Sequence, residues 1–280
     1  MNDIPPKAAD TRASWDIATQ NHNAHKGDQA ARLREGYDTL FDEELDFLGE
    51  LEGKRLVHLQ CNSGQDSLCL ARRGAVVTGV DFSGVAIRFA RELSNDASIS
   101  ATFLEHELLS WLASTELRFP IAFSSYGTVS WMPDLAAWAR GIERILEPGG
   151  AFVLIEFHPL MWSIGETGAL DQDDYFFRGP YVAPVEDYVA DAGPALGASV
   201  DAPRGKNLTA AHGFQYGLAE TVQSLVDAGL VLTRLAEWPH SNGAKRPGMV
   251  ALDERRWGMP PGRPRVPLMF GLRVRKPVSV

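Results

Sequence analysis

Residues 59–66 read Leu-Gln-Cys-Asn-Ser-Gly-Gln-Asp, and this short stretch decides how the rest of the chain is interpreted. The apolar residues 56–59 are typical of a buried strand, and residues 66–73 are typical of a helix that ends at Gly74. A strand, a tight turn and a helix form the usual start of a nucleotide-binding unit. Such turns normally contain several glycines, whereas this one contains only Gly64.

The turn is a poor match for a dinucleotide site. A Gly-x-Gly-x-x-Gly pattern lets bare backbone approach a pyrophosphate. Counted from Gln60, the three glycine positions hold Gln60, Asn62 and Gln65. A side chain at each position obstructs a phosphate, and no Gly-Lys-Ser/Thr of a P-loop follows. The turn therefore argues against NAD and FAD.

Strands and helices alternate from residue 56 to residue 157. The predicted strands are apolar almost throughout, which is typical of parallel strands buried on both faces. This alternation predicts an α/β fold, with a Rossmann-like, doubly wound, mostly parallel sheet and right-handed crossovers. The predicted strands of this part are residues 56–59, 75–81, 101–104, 120–125 and 151–157.

The chain is predicted to divide into four segments. Residues 1–50 are an N-terminal helical lid, of which residues 1–14 are polar and expected to be disordered. Residues 51–157 are the cofactor-binding Rossmann-like core. Residues 158–213 are rich in Gly, Pro, Asp and aromatics, which predicts an inserted substrate cap. Residues 214–280 complete the sheet with a helix at 214–228 and strands at 230–237 and 268–274.

Composition and charge argue against several function classes. The 280 residues carry a formal net charge of −9, which disfavours non-specific binding to nucleic acid or anionic membranes. No apolar run reaches the roughly 20 residues that a membrane helix needs, and the start lacks the apolar core of a signal peptide. Cys61 and Cys69 have no CxxC partner, so reduced thiols in a cytoplasmic protein are expected. The histidines show no ligand spacing, so no metal is expected.

The residues that follow the first strand resemble the class I S-adenosylmethionine-dependent methyltransferases. Gly64 stands at the last glycine place of that family's turn, and His58 stands where the family has an acidic residue. Residues 79–83, Gly-Val-Asp-Phe-Ser, and residues 146–152, Leu-Glu-Pro-Gly-Gly-Ala-Phe, match the family closely. A bacterial small-molecule branch carries His-Leu-Gln-Cys in this turn. The resemblance covers roughly residues 50–160. It implies a sheet of about seven strands with the last strand antiparallel.

The resemblance implies S-adenosylmethionine as the cofactor, and the turn suits that molecule. The cofactor has no phosphate, and its amino-acid end can meet the turn backbone and the first N–H groups of the following helix. Because asparagine tolerates a positive φ well, Asn62 and Gly64 can together make the turn. The alternative is a plain connection between strand and helix. The predicted cofactor contacts in the turn are Gln60, Cys61, Asn62 and Gly64.

Asp81 and Phe82 end the second strand and are the predicted contacts of the nucleoside. Asp81 lies 17 residues past Gly64, and a carboxylate there can accept both ribose hydroxyls, much as in dinucleotide folds. The alternative for Asp81 is a helix N-cap, but Ser83 already offers that cap. The resemblance implies that Phe82 stacks on adenine, and the alternative is a core phenylalanine.

The resemblance also implies contacts after the third strand. Glu107 is expected near the adenine amino group, and Leu108 is expected to flank the ring. Glu105 competes with Glu107 for this place, and either carboxylate can be a solvated loop charge.

The segment after the fourth strand runs past the sulfonium in the family. Ser125 is a predicted cofactor contact there. Tyr126 and Trp131 can place ring faces or a hydroxyl near that cation. The alternative for Trp131 is a hydrophobic staple before the helix that begins at Asp134.

His158 and Tyr175 are the predicted proton acceptors, with Tyr126 as a further catalytic candidate. His158 follows the fifth strand and is expected to face the crevice as a general base near neutral pH. The alternative for His158 is a strand end before Pro159, and the alternative for Tyr175 is a small core beneath the cap.

The main functional hypothesis is methyl transfer to a small molecule, in specialised metabolism, with the protein supplying proximity, orientation and a dry site. One alternative is cyclisation of the cofactor's own aminobutyrate arm to an azetidine amino acid, which releases methylthioadenosine. Another is a non-catalytic binder of the cofactor. Monomer and homodimer both stay open. Residues 245–276 carry nine Lys and Arg, which favours a solvated face, with an anionic acceptor as the alternative.

Overall fold

The computed structural model describes residues 6–165, 169–170, 173–177, 179–199 and 203–278. The strands in chain order are β1 (Arg55–Leu59), β2 (Val76–Asp81), β3 (Thr102–Glu105), β4 (Phe119–Ser125), β5 (Leu146–Phe157), β6 (Tyr181–Pro184), β7 (Ala210–Gly213), β8 (Val231–Trp238), β9 (His240–Asn242), β10 (Val250–Ala251), β11 (Arg256–Gly258) and β12 (Met269–Arg275).

The α-helices surround the sheet, and several begin at predicted caps. Ser83 and Asp134 accept hydrogen bonds from the backbone N–H groups of Ala86 and Ala137. The helices are α1 (Pro6–Ala24), α2 (Gln29–Arg34), α3 (Asp42–Leu48), α4 (Gln65–Arg72), α5 (Gly84–Ala97), α6 (Leu108–Ser114), α7 (Leu135–Ile145), α8 (Tyr188–Ala192) and α9 (Leu218–Asp227).

Seven strands form one sheet in the order β3-β2-β1-β4-β5-β12-β8. Neighbours from β3 to β5 are parallel, and β12 is antiparallel to both β5 and β8. The predicted Rossmann-like α/β fold, with seven strands and an antiparallel last strand, is confirmed. In such open sheets, ligands bind at the carboxyl ends of the parallel strands.

Both faces of the sheet are buried, as the apolar strands predicted. In β1, Leu56 packs into a cluster with α2 to α5, while Val57 and Leu59 pack into a second cluster with α6, α7 and α9. Successive residues of a strand point to opposite faces, so an apolar run serves two cores at once. Because both faces are buried, a ligand site is expected at the ends of the strands.

The N-terminal segment differs from the expectation of disorder over residues 1–14. Residues 1–5 lie outside the described residues, but α1 begins at Pro6. Its polar side chains are used as anchors. Thr11 Oγ1 accepts the His212 N–H at 2.9 Å, and Ser14 Oγ accepts the Val185 N–H at 3.0 Å. Contacts with residues far along the chain therefore hold this segment in a helix, although its composition predicted disorder.

Both long insertions contain small sheets. Within residues 158–213, β6 and β7 form a two-stranded antiparallel sheet, and β7 packs on α1. Between β8 and β12, the order of a second small sheet is β10-β11-β9. None of the described helices is both long enough and apolar enough to span a membrane. The four-segment division stays a prediction.

Candidate active site

The turn after β1 is built from residues in the left-handed region. Asn62 has φ 47°, as expected, and Gly64 has φ 78°. Gln60 also has a positive φ of 55°, which was not expected. A Cβ on Gly64 would come within 2.8 Å of Ala90 and Phe103. The turn therefore needs glycine only at its last place, and Asn62 and Gln60 adopt the left-handed conformation as L-residues.

His58 occupies the place where the family has a carboxylate. Its Nδ1 shares a 2.8 Å hydrogen bond with Ser67 Oγ in α4. Burial lowers the pKa of His58 to about 4, against a smaller opposing effect of Asp66. The imidazole is therefore neutral at physiological pH and ties β1 to α4.

Asp81 lies at the end of β2 and is held by the turn. Its Oδ2 accepts the Asn62 N–H and its Oδ1 accepts the Ser83 N–H, both at 2.9 Å. Burial raises the pKa of Asp81 to about 6, although these N–H groups oppose the shift. An ionised carboxylate has about four acceptor sites, so about two remain for other hydroxyls. The helix cap is left to Ser83, whose Oγ accepts the Ala86 N–H.

A cavity of about 590 Å³ lies at the ends of β1, β2 and β4. This volume is in the range of about 300–1,000 Å³ that is usual for small-molecule sites. Residues of α1 and of the cap also line it. The structure brings eight of the predicted site residues to this cavity, namely Gln60, Cys61, Asn62, Asp81, Phe82, Ser125, Tyr126 and Trp131.

Glu107 and Leu108 do not line this cavity, contrary to the prediction. The Glu107 carboxylate caps α6 by accepting the N–H groups of Leu109 at 3.0 Å and Ser110 at 2.7 Å. Leu108 is buried in the core beneath α6. Glu105, the competing candidate, pairs with Arg12 of α1. The Glu107 carboxylate, which the resemblance placed near adenine, therefore caps its own helix instead.

The structure also differs from the prediction that His158 faces the crevice as a general base. Its Nδ1 accepts the Leu160 N–H at 3.1 Å, and its Nε2 lies 2.9 Å from Glu237 Oε1 on β8. It does not line the large cavity. Burial lowers the pKa of His158, against the opposing effect of Glu237. Both ring nitrogens are thus engaged in holding the end of β5 to β8.

Of the two tyrosine candidates, only Tyr126 reaches the cavity. The Tyr175 hydroxyl accepts the Leu218 N–H at 3.2 Å, at the start of α9, and the residue does not line the cavity. The Tyr126 hydroxyl lies buried at the cavity beside Glu44 and lacks a hydrogen bond of good geometry within the described residues. Burial raises the pKa of Tyr126 well above its usual value, and the adjacent Glu44 acts in the same direction, so the hydroxyl stays protonated beside that carboxylate.

Glu156 was missed by the sequence reasoning. This buried carboxylate at the end of β5 accepts N–H groups from Gly127, Thr128 and Val129, the last two at 2.7 and 3.1 Å. It thereby holds the loop in which Tyr126 has φ 52°. The available signal was an acidic residue inside an otherwise apolar strand, because a buried carboxylate needs several donors.

Aromatic rings form one wall of the cavity. Trp15 of α1 meets Trp131 edge to face at 5.5 Å, and Trp131 meets Tyr181 of β6 at 6.3 Å. Phe157 and Trp162 also line the cavity and lie 6.0 Å apart. Ring faces in a desolvated site attract cations.

A network of amides joins the turn to the N-terminal segment. Asn23 Nδ2 donates to Ser63 Oγ at 2.7 Å, and Asn23 Oδ1 accepts from Gln29 at 3.0 Å and Gln65 at 3.1 Å. Gln65 also donates to Gln29 at 2.7 Å. The turn is therefore covered by polar side chains from a distant part of the chain.

A second contact ties α1 to the cap. His25 Nε2 lies 2.8 Å from Asp187 Oδ2, which also accepts the Gly205 N–H at 2.7 Å. Although burial opposes it, these hydrogen bonds keep the pKa of Asp187 below its usual value. We call His25 and Asp187 the clasp.

Among the described residues, no group of three or more His, Cys, Asp or Glu side chains could hold a metal ion. Cys61 and Cys69 are both free and buried, and burial raises the pKa of each thiol. Neither thiol is therefore a ready nucleophile.

Comparison with known proteins agrees with this geometry. A methyltransferase domain family matches residues 57–150. A ubiquinone biosynthesis O-methyltransferase from Alkalilimnicola ehrlichii is 32% identical over 37% of this chain and 41% of its own length. A 27-O-demethylrifamycin SV methyltransferase from Amycolatopsis mediterranei is 28% identical over 49% of this chain and 50% of its own length.

The fold has solved counterparts. The crystal structure of an S-adenosylmethionine-dependent methyltransferase from Mesorhizobium loti superposes with a TM-score of 0.52 at 19% identity, over 86% of this chain and 99% of the other. The sequence matches to the two curated relatives span half of their length or less. Residues 57–150 match a methyltransferase domain, and the fold of the chain is that of S-adenosylmethionine-dependent methyltransferases of known structure.

Proposed function

We propose that the protein binds S-adenosylmethionine in the large cavity and transfers its methyl group to a small molecule. The observation that carries the proposal is Asp81. This buried carboxylate is fixed by the N–H groups of Asn62 and Ser83, and it keeps acceptor sites for two ribose hydroxyls at the cavity wall.

The other lining residues fit the remaining parts of the cofactor. Phe82 adjoins Asp81 and offers a ring to adenine. The cofactor's carboxylate suits the N-terminus of α4 together with Lys26, which lines the cavity. Burial lowers the pKa of Lys26 to about 8, and Asp66 opposes the shift, so the amine is mostly charged at neutral pH. Each part of the cofactor therefore has a side chain of matching chemistry.

When bound, S-adenosylmethionine supplies an electrophilic methyl group on a sulfonium. The chain's contribution is binding, orientation and exclusion of water, because transfer from a sulfonium needs little covalent help. Trp131 and Phe157 offer ring faces to the cation. Tyr126 also lines the cavity and offers its ring to the cation, since its buried hydroxyl lies beside Glu44. His158 and Tyr175 have no proton-transfer role in this proposal.

A small acceptor is supported by the size of the site. Residues of α1 and the cap line the cavity, whose volume of about 590 Å³ suits small molecules. A second cavity of about 400 Å³ shares Phe157, Trp162 and Tyr181 with the first and provides room for an acceptor. The rifamycin-modifying relative supports a role in specialised metabolism. The two free thiols support a cytoplasmic location.

The experiment that tests the proposal is an analysis of the by-product. Purified protein is incubated with S-adenosylmethionine, alone and with a set of small acceptors, and the nucleoside is identified by mass spectrometry. Adenosylhomocysteine that forms only with an acceptor supports methyl transfer. Methylthioadenosine formed without an acceptor would instead support cyclisation. Binding without either product would indicate a non-catalytic binder.

A further inference from the structure

Lys245 places a charged amine at the cavity without an acidic partner. It lies between β9 and β10 and lines the large cavity. Its Nζ lies 5.0 Å from the ring centroid of Phe157 and 5.1 Å from that of Tyr188. Within the described parts of the chain, the amine has neither an ion pair nor a hydrogen bond.

Two other cations of the lining, Arg255 and Arg32, donate hydrogen bonds to backbone carbonyl oxygens. Arg255 donates to the carbonyl oxygens of Asp38, Thr39 and Leu40. Arg32 donates to the carbonyl oxygen of Gly197 and lies over a tyrosine ring. For Lys26, the carboxylate of Asp66 opposes the lowering of its pKa.

The acids of the lining are also engaged. Asp81 accepts two backbone N–H groups. Asp191 lies 2.5 Å from Arg204, and Glu186 lies 4.0 Å from the same guanidinium. Asp66 also lines the cavity and acts on Lys26, and no carboxylate influences the pKa of Lys245, so no acid in the described lining neutralises this amine.

Lys245 is half-buried, and an ammonium that is partly removed from water without a counter-charge is unfavourable. Burial lowers the pKa of Lys245 to about 8, so the amine is still mostly charged at neutral pH. The two aromatic rings offset part of the cost. A bound sulfonium would add a further positive charge to the same cavity, and an anionic acceptor would offset one of these charges.

We propose that the acceptor is an organic carboxylate whose charge pairs with Lys245 and whose apolar body packs against Phe157, Tyr188 and Trp162. This inference rests on the proposed function, because it assumes that the cofactor occupies the part of the cavity beside Asp81. A single unpaired lysine suits one negative charge. Lys26 and the start of α4, rather than Lys245, are left for the cofactor's own carboxylate.

The test uses matched acids and amides. Aromatic carboxylates, from benzoate to naphthalene carboxylates, and their primary amides are titrated into the full-length protein by calorimetry, with and without saturating adenosylhomocysteine. We expect at least one acid to bind tenfold or more tightly than its amide. Lys245→Met should abolish this preference, and Lys245→Arg should retain most of it. Adenosylhomocysteine affinity should change less than twofold in both variants.

Three outcomes would overturn the inference. The first is that acids bind the wild-type protein no better than their amides, and the second is that the acid preference survives in Lys245→Met. A tenfold loss of adenosylhomocysteine affinity in Lys245→Met would instead assign the lysine to the cofactor. Circular dichroism of each variant checks folding. If the wild-type protein fails to bind adenosylhomocysteine, the proposed function fails, whereas the acid preference is still measured in the titrations without it.

Discussion

At the scale of single residues, Gly64 is the position in the turn that requires glycine. Asn62 and Gln60 also have positive φ, but Gly64 in addition packs against Ala90 and Phe103. A side chain there meets two separate penalties, from its backbone conformation and from overlap with the core.

Replacing Gly64 by alanine should destabilise the fold by about 2–5 kcal/mol. About 1–2 kcal/mol comes from the left-handed conformation and about 1–3 kcal/mol from overpacking. Gly53→Ala is the matched control, since Gly53 has φ 69° and an added Cβ there would meet no atom within 4 Å. Urea unfolding of both variants measures the difference, and equal losses would contradict the account.

Asp81 predicts how cofactor affinity depends on pH. Ribose hydroxyls donate to the ionised carboxylate, whose pKa burial raises to about 6. Binding therefore favours the deprotonated form, and affinity should fall as the pH drops below about 6, by about tenfold at pH 5 compared with pH 7. Calorimetric titrations between pH 5 and pH 7 measure this. The slope should disappear in Asp81→Asn, and an unchanged slope in that variant would exclude Asp81 as its source.

Some site residues could be predicted from the sequence and others could not. Asp81 was predictable because the end of a parallel strand fixes its position beside the turn. The role of His158 depends on Glu237, which is remote in sequence and adjoins it only through β12. Glu107 was misassigned because its own helix start captures the carboxylate.

At the scale of elements, the clasp joins two segments that both roof the cavity. Asp187 accepts from His25 and from the Gly205 N–H, so removal of its carboxylate loosens α1 and the cap together. Hydrogen bonds to charged groups contribute about 1.5–3 kcal/mol each.

Asp187→Ala should speed dissociation of S-adenosylmethionine by about tenfold or more, because opening of the roof becomes easier by about 1.5 kcal/mol or more. Stopped-flow fluorescence with the cofactor pre-bound measures the rate. Glu50→Ala is the control, because Glu50 is exposed and does not line the cavity. Equal dissociation rates in folded samples of the two variants would rule out the clasp.

The sheet was predictable from the sequence, but the roof was not. Apolar runs identify the strands of the large sheet directly. By contrast, the four residues of β6 are all exposed, so no alternation of buried and exposed residues marks this strand. The amide network joins Asn23 to Gln65 across 42 positions, and no local sequence pattern predicts such a contact.

At the scale of the whole molecule, the net charge of the chain does not predict which charges lie at the cavity. The chain carries a net charge of −9, which argues against polyanionic partners. The cavity nevertheless contains Lys26 and Lys245, whose amines lie where the net charge has little influence on a bound ligand. Burial and pairing decide which charges can act, and only the folded chain specifies them.

The central claim is that the cavity binds S-adenosylmethionine through Asp81, and a calorimetric titration at pH 7.5 tests it most directly. The wild-type protein should bind the cofactor, and Asp81→Asn should weaken binding by about 2 kcal/mol, or roughly 30-fold. Glu107→Gln is the control, because that carboxylate caps α6 away from the cavity, and its affinity should match the wild type. Absence of binding to the wild-type protein, or equal affinity in Asp81→Asn, would contradict the account.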